Sequence, residues 1–292
     1  MVENNKPFQI FGHAIMILLI IICLFPFVLM IASSLTNEQA LLNYGYSLIP
    51  REFSLESYKY LLNNSESIVR GYLITLSITV IGTFLNVMFT ILIAYPLSRK
   101  ELPFRNVIAF IVFFTMLFNG GVVSSYIMWS NYFHIKNTLF ALLVPNLMLG
   151  AFFIIMMRTY FSSNIPDAIL EAARIDGATE WFILFKIVIP ISQPIIVTIA
   201  LFAGLQYWND WVNGLYYISD DRFYSIQVLL NRMLSDVQYL MSSGSLNSSV
   251  GKLPSTGIKM AIAVIGAVPV LIVYPFFQKY FIKGITIGAV KG

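Results

Sequence analysis

Long runs of residues without Asp, Glu, Lys or Arg divide this chain into apolar segments. A helix that crosses the hydrocarbon core of a membrane, about 30 Å thick, needs about 20 apolar residues. Six runs come close to that length or exceed it: residues 14–37, 71–98, 106–133, 137–157, 187–209 and 260–278. Strands of a membrane barrel are about 10 residues long and alternate polar with apolar side chains, unlike these runs. The pattern therefore predicts an all-α membrane protein with six transmembrane helices.

The composition supports lipid as the surroundings of the fold. Hydrophobic residues make up 58% of the chain and charged residues 11%, and the mean hydropathy is +0.78, whereas a soluble domain carries about 25% charged residues. The first run is longer than the apolar region of a signal peptide, which has about 7–15 residues, and no small-x-small cleavage site follows it, so we expect a retained span. The single cysteine, Cys23, excludes disulfide frameworks and thiolate metal clusters. The net charge of +4 does not indicate binding to nucleic acid, because the basic residues are distributed among the loops and do not form one patch. No metal or cofactor is expected.

The short loops differ in basic charge. The loop between the second and third runs holds Arg99, Lys100 and Arg105, whereas the loop between the third and fourth holds only Lys136. Because cytoplasmic loops are enriched in Lys and Arg, the former loop is predicted to be cytoplasmic. If consecutive runs cross the membrane in alternating directions, both termini and residues 158–186 are also predicted to be cytoplasmic.

Residues 164–190 form a polar and patterned stretch between two runs. We expect Asn164 to cap a helix whose first turn holds Pro166 and Asp167. One face is predicted to carry charged residues and the adjoining face apolar ones: Asp167, Glu171 and Arg174, then Ala168, Ala172 and Ile175. Gly177 is suited to a left-handed helix end. From the residues alone, this helix is either a surface helix along the membrane or a docking element.

The fifth run contains further candidates for function. Pro190 and Pro194 predict a bend between the patterned loop and the membrane. Three amides in the run, Gln193, Gln206 and Asn209, could line a wet pathway or bond between helices. An aromatic cluster near its outer end either stacks on sugar rings or forms an interfacial belt, the more ordinary explanation: Tyr207, Trp208, Trp211, Tyr216 and Tyr217.

The string EAARIDGA and the IVIP that follows it resemble the EAA loop of binding-protein-dependent ABC importer permeases. The matching positions are Glu171, Ala172, Ala173, Asp176, Gly177, Ala178 and Pro190. Four other stretches are similar to the carbohydrate-uptake branch, of the complex-sugar and polysaccharide type that includes maltose permeases: FNGGVVSSY at 118–126, IIMMRTYF at 154–161, YWNDW at 207–211 and the ending at 274–292. The resemblance covers most of residues 71–292.

The resemblance implies a type I ABC importer permease fold in three parts. Residues 1–70 are expected to form a first transmembrane helix and an outer loop, residues 71–279 the permease core with its coupling loop at about 164–190, and residues 280–292 a cytoplasmic tail that reaches towards the ATPase. In this family the EAA loop is the coupling helix, and it seats in a cleft of the ATPase subunit. We expect its six matching residues from Glu171 to Ala178 to take that role.

The resemblance also implies partners. They are two copies of an ABC ATPase, a second and different permease chain, an extracytoplasmic solute-binding protein and a carbohydrate, in a bacterial inner membrane. The chain lacks the GxxxxGK[ST] phosphate cradle, so it is expected to be a transport subunit and not an enzyme. An ion-coupled secondary transporter and an ABC permease for a non-sugar solute are the alternatives. The former normally needs ionisable groups inside its spans, and only His13, near a span end, approaches that description.

Overall fold

A computed structural model of the chain describes residues 6–63, 65–242 and 255–289. Every regular element in these ranges is a helix, and the one isolated β-bridge there pairs Thr36 with Phe53. The all-α class is therefore confirmed.

The helices follow one another with short connections. In chain order they are α1 (Lys6–Ser34), α2 (Glu38–Tyr44), α3 (Glu56–Asn63), α4 (Ser65–Ser98), α5 (Arg105–Leu117), α6 (Gly121–Ile127), α7 (Phe140–Leu143), α8 (Ala151–Asn164), α9 (Asp167–Ile175), α10 (Glu180–Ile183), α11 (Ile189–Ile191), α12 (Gln193–Trp208), α13 (Val212–Tyr217), α14 (Ile226–Ser242) and α15 (Ser255–Ala289). Single π-helical turns, Met128–Tyr132 and Leu184–Val188, extend α6 and join α10 to α11.

Among the described residues, two helices are long and apolar enough to cross a membrane, namely Phe8–Ser34 within α1 and the whole of α4. Two further candidates are bent pairs. The third run folds as α5 and Gly121–Tyr132 at 112°, and the fifth as Glu180–Ile191 and α12 at 82°. The sixth run lies in α15, whose apolar part, Thr256–Ile272, is shorter. The structure thus supports up to four spans by length and composition and does not confirm six.

The prediction of one continuous helix over residues 137–157 is wrong. This run folds as the four-residue α7, an irregular segment at 144–150, and α8, which continues to Asn164. Pro145 has no N–H to donate, so it cannot continue the hydrogen-bond pattern of a helix. Asn146 then adopts a left-handed φ of 61°. Apolar composition predicted where this run lies but gave no sign of the break.

The chain forms two compact units. The first comprises Met1–Ile68 and Leu230–Leu271. Within it, the carboxylate of Glu38 caps the start of α15, because its oxygens accept hydrogen bonds from the N–H groups of Thr256 and Gly257, both at 3.0 Å. This contact fastens α2 to the last helix.

The second unit comprises Val69–Leu229 and Ile272–Gly292. Its main core joins the C-terminal half of α4 to α8, α9, α10 and α12. Among its fully buried side chains are Ala94, Met157, Phe161, Ile183, Val188 and Ile199. This core carries the segment that the sequence predicts to be functional.

Candidate functional site

Ile165 and Pro166 form a short non-helical connection between α8 and α9. Ile165 is extended and 3% exposed, so it anchors the connection in the core. Proline disfavours helical backbone in the residue before it, which explains why α8 ends there. The predicted N-cap is wrong: Pro166 is the capping residue of α9, while Asn164 belongs to α8 and donates from Nδ2 to the carbonyl of Tyr160 at 3.2 Å.

Helix α9 has one buried and one exposed face. Leu170 is 2% exposed, and Ala173 packs against the same core. Glu171 and Ala172 are exposed, and Ile175 is 86% exposed. The predicted apolar face with Ala172 and Ile175 therefore exists, but it points away from the core, and Leu170 holds the helix in place.

The turn after α9 is a Schellman cap. The N–H of Ala178 donates to the carbonyl of Ala173 at 2.9 Å, and that of Gly177 donates to the carbonyl of Arg174 at 3.0 Å. Gly177 has φ of 82°, as predicted for a left-handed helix end. A Cβ at Gly177 would meet no atom within 4 Å, so backbone conformation alone favours glycine within this chain. Asp176, the preceding residue, is exposed.

The chain then returns through α10. Thr179 caps it, since its Oγ1 accepts from the N–H of Phe182 at 3.3 Å. Trp181 and Phe185 stack with ring centroids 6.2 Å apart and are more than half exposed. The 82° bend before α12 lies at Ser192, between the two prolines that predicted it.

Ion pairs tie the first turn of α9 to the end of α4. Nζ of Lys100 lies 3.1 Å from Oδ2 of Asp167, and Nη1 of Arg99 lies 3.9 Å from Oδ1. The hydrogen bond from Lys100 lowers the pKa of the Asp167 carboxyl, which is ionised at neutral pH. Since the side chains of Lys100 and Asp167 are both largely exposed, their pair adds little stability.

The last turn of α9 is tied to α10 and α4 through Glu180. Nε of Arg174 donates to Oε1 of Glu180 at 2.8 Å, and the hydroxyl of Tyr95 donates to Oε2 at 2.7 Å. Nη1 of Arg174 also lies 3.9 Å from Oε1 of Glu101. The hydrogen bond from Tyr95, and then that from Arg174, lowers the pKa of Glu180. The Glu180 carboxylate thus joins three elements.

The predicted pathway amides are not brought together. Gln193, Gln206 and Asn209 are all exposed on or just after α12. Gln206 and Asn209 share one face of the helix. Gln193 is separated from Gln206 by about 20 Å along the helix axis and by about 140° around it. Asn209 donates from Nδ2 to the carbonyl of Leu205 at 2.9 Å.

The predicted aromatic cluster divides into buried and exposed members. Tyr207 and Tyr217 are nearly inaccessible, and Tyr217 stacks on Tyr126 with ring centroids 5.9 Å apart. Trp211 and Tyr216 are 43% and 41% exposed. Only the exposed members are free to meet lipid or a solute.

A polar clamp that the sequence did not reveal supports the break at 144–150. Three side chains, one each from α4, α12 and α13, donate to alternate carbonyls at the end of α7 and within this stretch. The bonds run from Tyr207 Oη to Leu143 O at 2.8 Å, from Asn213 Nδ2 to Pro145 O at 3.0 Å, and from Asn86 Nδ2 to Leu147 O at 2.7 Å. Non-helical backbone at membrane depth is tolerated only where such partners satisfy it or where it lines a cavity. The clamp residues come from distant parts of the chain, so no local pattern marks them.

No group of three or more His, Cys, Asp or Glu side chains within the described ranges is placed to hold a metal ion. The site consists instead of a capped helix, a glycine turn and an ionic network, which can transmit force and bind a protein surface.

Comparison with known proteins places this geometry in a family. The model of the binding-protein-dependent transport system inner membrane component matches residues 87–287, more than half of the chain. The chain belongs to this family. The matched range contains the whole of α9, its glycine turn and the network around Glu180, and it gives no support to an ion-coupled secondary transporter.

Relatives of this permease match it over nearly their full length. It is 36% identical over 289 residues to the polygalacturonan/rhamnogalacturonan transport system permease protein YtcP of Bacillus subtilis (strain 168), covering 99% of this chain and 100% of that protein. It is 29% identical to the trehalose/maltose transport system permease protein MalG of Thermococcus litoralis, covering 94% of each. The crystal structure of a bacterial ABC transporter involved in the import of the acidic polysaccharide alginate matches with a TM-score of 0.81 and 28% identity, over 96% of this chain and 99% of that one. The fold is that of a type I ABC importer permease.

Proposed function

We propose that this permease forms half of the translocation pathway of an ATP-driven carbohydrate importer and that α9 couples it to a separate ATPase. The observation that carries the coupling role is the solvent-facing side of α9, with Glu171, Ala172 and Ile175 exposed on a helix that Leu170 fixes from behind. In this proposal the chain crosses a bacterial inner membrane six times, with both termini in the cytoplasm.

The exposed face of α9 has the chemistry of a docking surface. Ile175 exposes 86% of its surface, and Ile169 exposes 42%. Covering an isoleucine completely stabilises a complex by about 1.5–3 kcal/mol. Ala172 between them lets a partner backbone approach closely, and the Glu171 carboxylate can accept hydrogen bonds from it. Asp176 and Gly177 complete the surface.

The carbohydrate substrate is supported by the relatives. YtcP is named for polygalacturonan and rhamnogalacturonan, MalG for trehalose and maltose, and the solved transporter imports alginate. Gln206 and Asn209, on one face of α12, offer amides that can hydrogen-bond sugar hydroxyls, and Gln193 offers a third at the other end. The alternative is an ABC permease for a non-sugar solute.

The partners follow from the family. One such chain supplies one coupling helix, so a complete importer needs a second permease chain, two copies of the ATPase subunit and an extracytoplasmic binding protein. The alternate crossings predicted above leave residues 38–70 and 210–259 on the outer side, and these two loops are the proposed surface for the binding protein. Residues 64 and 243–254 lie outside the described ranges. Residues 283–292 of the tail are a proposed second contact with the ATPase; the last three lie outside the described ranges.

The coupling role is tested by Ile175→Glu, with Ile175→Leu as the matched control. Because Ile175 is exposed in this chain, neither change is expected to lower the thermal stability of the permease. Ile175→Glu puts a charge on the apolar docking face, so we expect it to lose co-purification of the ATPase subunit and ATP-dependent uptake. Ile175→Leu retains both. Full uptake and unchanged co-purification in Ile175→Glu contradict the docking role.

The substrate class is tested separately with wild-type importer in proteoliposomes containing its binding protein and ATPase. Uptake of a labelled oligogalacturonide or a labelled maltooligosaccharide that requires ATP supports a carbohydrate importer. Uptake of amino acids or peptides by the same preparation, with neither sugar transported, contradicts it.

A further inference from the structure

The proposed coupling helix has a further connection to the rest of the protein besides its chain ends, the buried Leu170 and the ion pairs of Asp167. Arg174, in the last turn of α9, reaches across the Gly177 turn to Glu180, the first residue of α10. The other oxygen of Glu180 accepts from Tyr95, three residues before the end of α4. One carboxylate therefore closes a chain of contacts from α9 to α10 to α4.

Both contacts of Glu180 are short and charge-assisted. The distances are 2.8 Å from Arg174 Nε to Oε1 and 2.7 Å from Tyr95 Oη to Oε2. Hydrogen bonds to an ionised group are about twice as strong as neutral ones. Each carboxylate oxygen has its own partner, so Glu180 makes both hydrogen bonds at the same time.

Tyr95 is firmly held at the α4 end of this chain. Its side chain is 6% exposed and meets Phe161 of α8 edge to face, with ring centroids 6.5 Å apart. The guanidinium of Arg99 covers the ring at 5.3 Å from its centroid. The phenol therefore cannot follow Glu180 by swinging away from α4, and a pull on its hydroxyl acts on the helix.

Open space lies beside the bridge. A cleft of about 470 Å³ separates the end of α4 from the start of α10, and Leu102, Trp181 and Leu184 line it together with the three bridge residues. Side chains do not fill this space, so the hydrogen bonds of Glu180 bridge α10 and α4 across the cleft. The buried residues of the two helices also belong to one core, which the bridge supplements.

We propose that the chain Arg174–Glu180–Tyr95 is a mechanical link that carries displacement of the coupling helix to α4. In this proposal the three are positioning residues, because they act through the placement of α4 and α9. Helix α4 has 34 residues and is about 50 Å long, so a shift at one end moves a whole span. The proposal deepens the coupling role of α9 and rests on it.

The test uses the complete importer in proteoliposomes and measures ATP hydrolysis and uptake in the same preparation. Tyr95→Phe removes only the donor hydroxyl and keeps the ring against Phe161. Loss of a hydrogen bond to a charged group is expected to reduce solute transported per ATP hydrolysed by about tenfold. Hydrolysis itself and co-purification of the ATPase subunit stay at the wild-type level. Tyr160→Phe, which removes a half-buried hydroxyl of α8 outside the link, is the control and keeps the wild-type ratio.

A second variant guards against a trivial loss of stability. Glu180→Ala removes the bridge from its other side, and the double variant with Tyr95→Phe is expected to be no worse than Glu180→Ala alone, because both changes break one link. Losses that simply add, or a wild-type ratio in Tyr95→Phe, overturn the proposal. Uptake by the wild-type protein without any ATPase subunit would instead refute the importer role, so the two failures are distinguishable.

Discussion

Replacing Gly177 separates two reasons for a glycine after α9, the proposed coupling helix. Its φ of 82° is a left-handed conformation, which costs a residue with a Cβ about 1–2 kcal/mol. Since a Cβ there would meet no atom of this chain within 4 Å, the whole internal cost is conformational. A penalty of that size reduces the equilibrium constant for the capped turn by a factor of about 5–30.

The test is a graded series, Gly177→Asn, Gly177→Ala and Gly177→Val. Asparagine tolerates the left-handed region, alanine tolerates it less, and a β-branched residue is a genuine outlier there. If conformation decides, ATP-dependent uptake and co-purification of the ATPase subunit fall in that order, with Asn nearest to wild type. If Asn is as damaging as Val, which has a similar volume, the reasoning is refuted and the partner surface must require the absence of a side chain.

Three other outcomes follow from the same structure. Asn86→Leu leaves the Leu147 carbonyl without its donor and is expected to destabilise the permease by about 1–3 kcal/mol, seen as a lower thermal midpoint in detergent. Leu170→Ala empties a core position and costs about 2–5 kcal/mol by the same measurement; no loss would mean that α9 is not anchored there. The pKa of Glu180 is lowered from 4.5, so its hydrogen bonds with Tyr95 and Arg174 stabilise the fold fully above that value and are lost as pH falls through the lower pKa of the folded state. The midpoint is therefore expected to hold from neutral pH to about 5 and to fall in more acid solution, and a fall that begins near neutral pH contradicts this assignment.

The local features of residues 164–194 were predictable because their causes are local. Gly177 follows an amphipathic helix at the position where a left-handed cap is least costly, and its φ confirms that prediction. Pro190 and Pro194 likewise mark the bend at Ser192. The error at Asn164 has a local cause too, because an extended residue before Pro166 allows one helix to end and another to begin.

The remaining features depend on contacts between distant residues. Tyr95 and Glu180 are 85 positions apart, and Asn86 and the Leu147 carbonyl are 61 apart. Nothing in the neighbourhood of Tyr95 marks it as a partner of the coupling loop. The break at 144–150 also escaped prediction, since it keeps the apolar composition of a span and gains its stability from side chains elsewhere in the fold.

The docking of α9 onto the ATPase is tested most directly by site-specific cross-linking. In a Cys23→Ser background, which removes the one native cysteine, Ile175→Cys and Leu170→Cys are each labelled with a short photoactivatable maleimide in the isolated permease, which is then assembled with its ATPase subunit. These positions lie on the same helix, one 86% exposed and the other 2%. We expect Ile175→Cys to cross-link to the ATPase subunit with a yield that changes on ATP binding, and Leu170→Cys to give no such product. An Ile175→Cys variant that transports normally and never cross-links to the ATPase would contradict the role of α9 as the coupling helix.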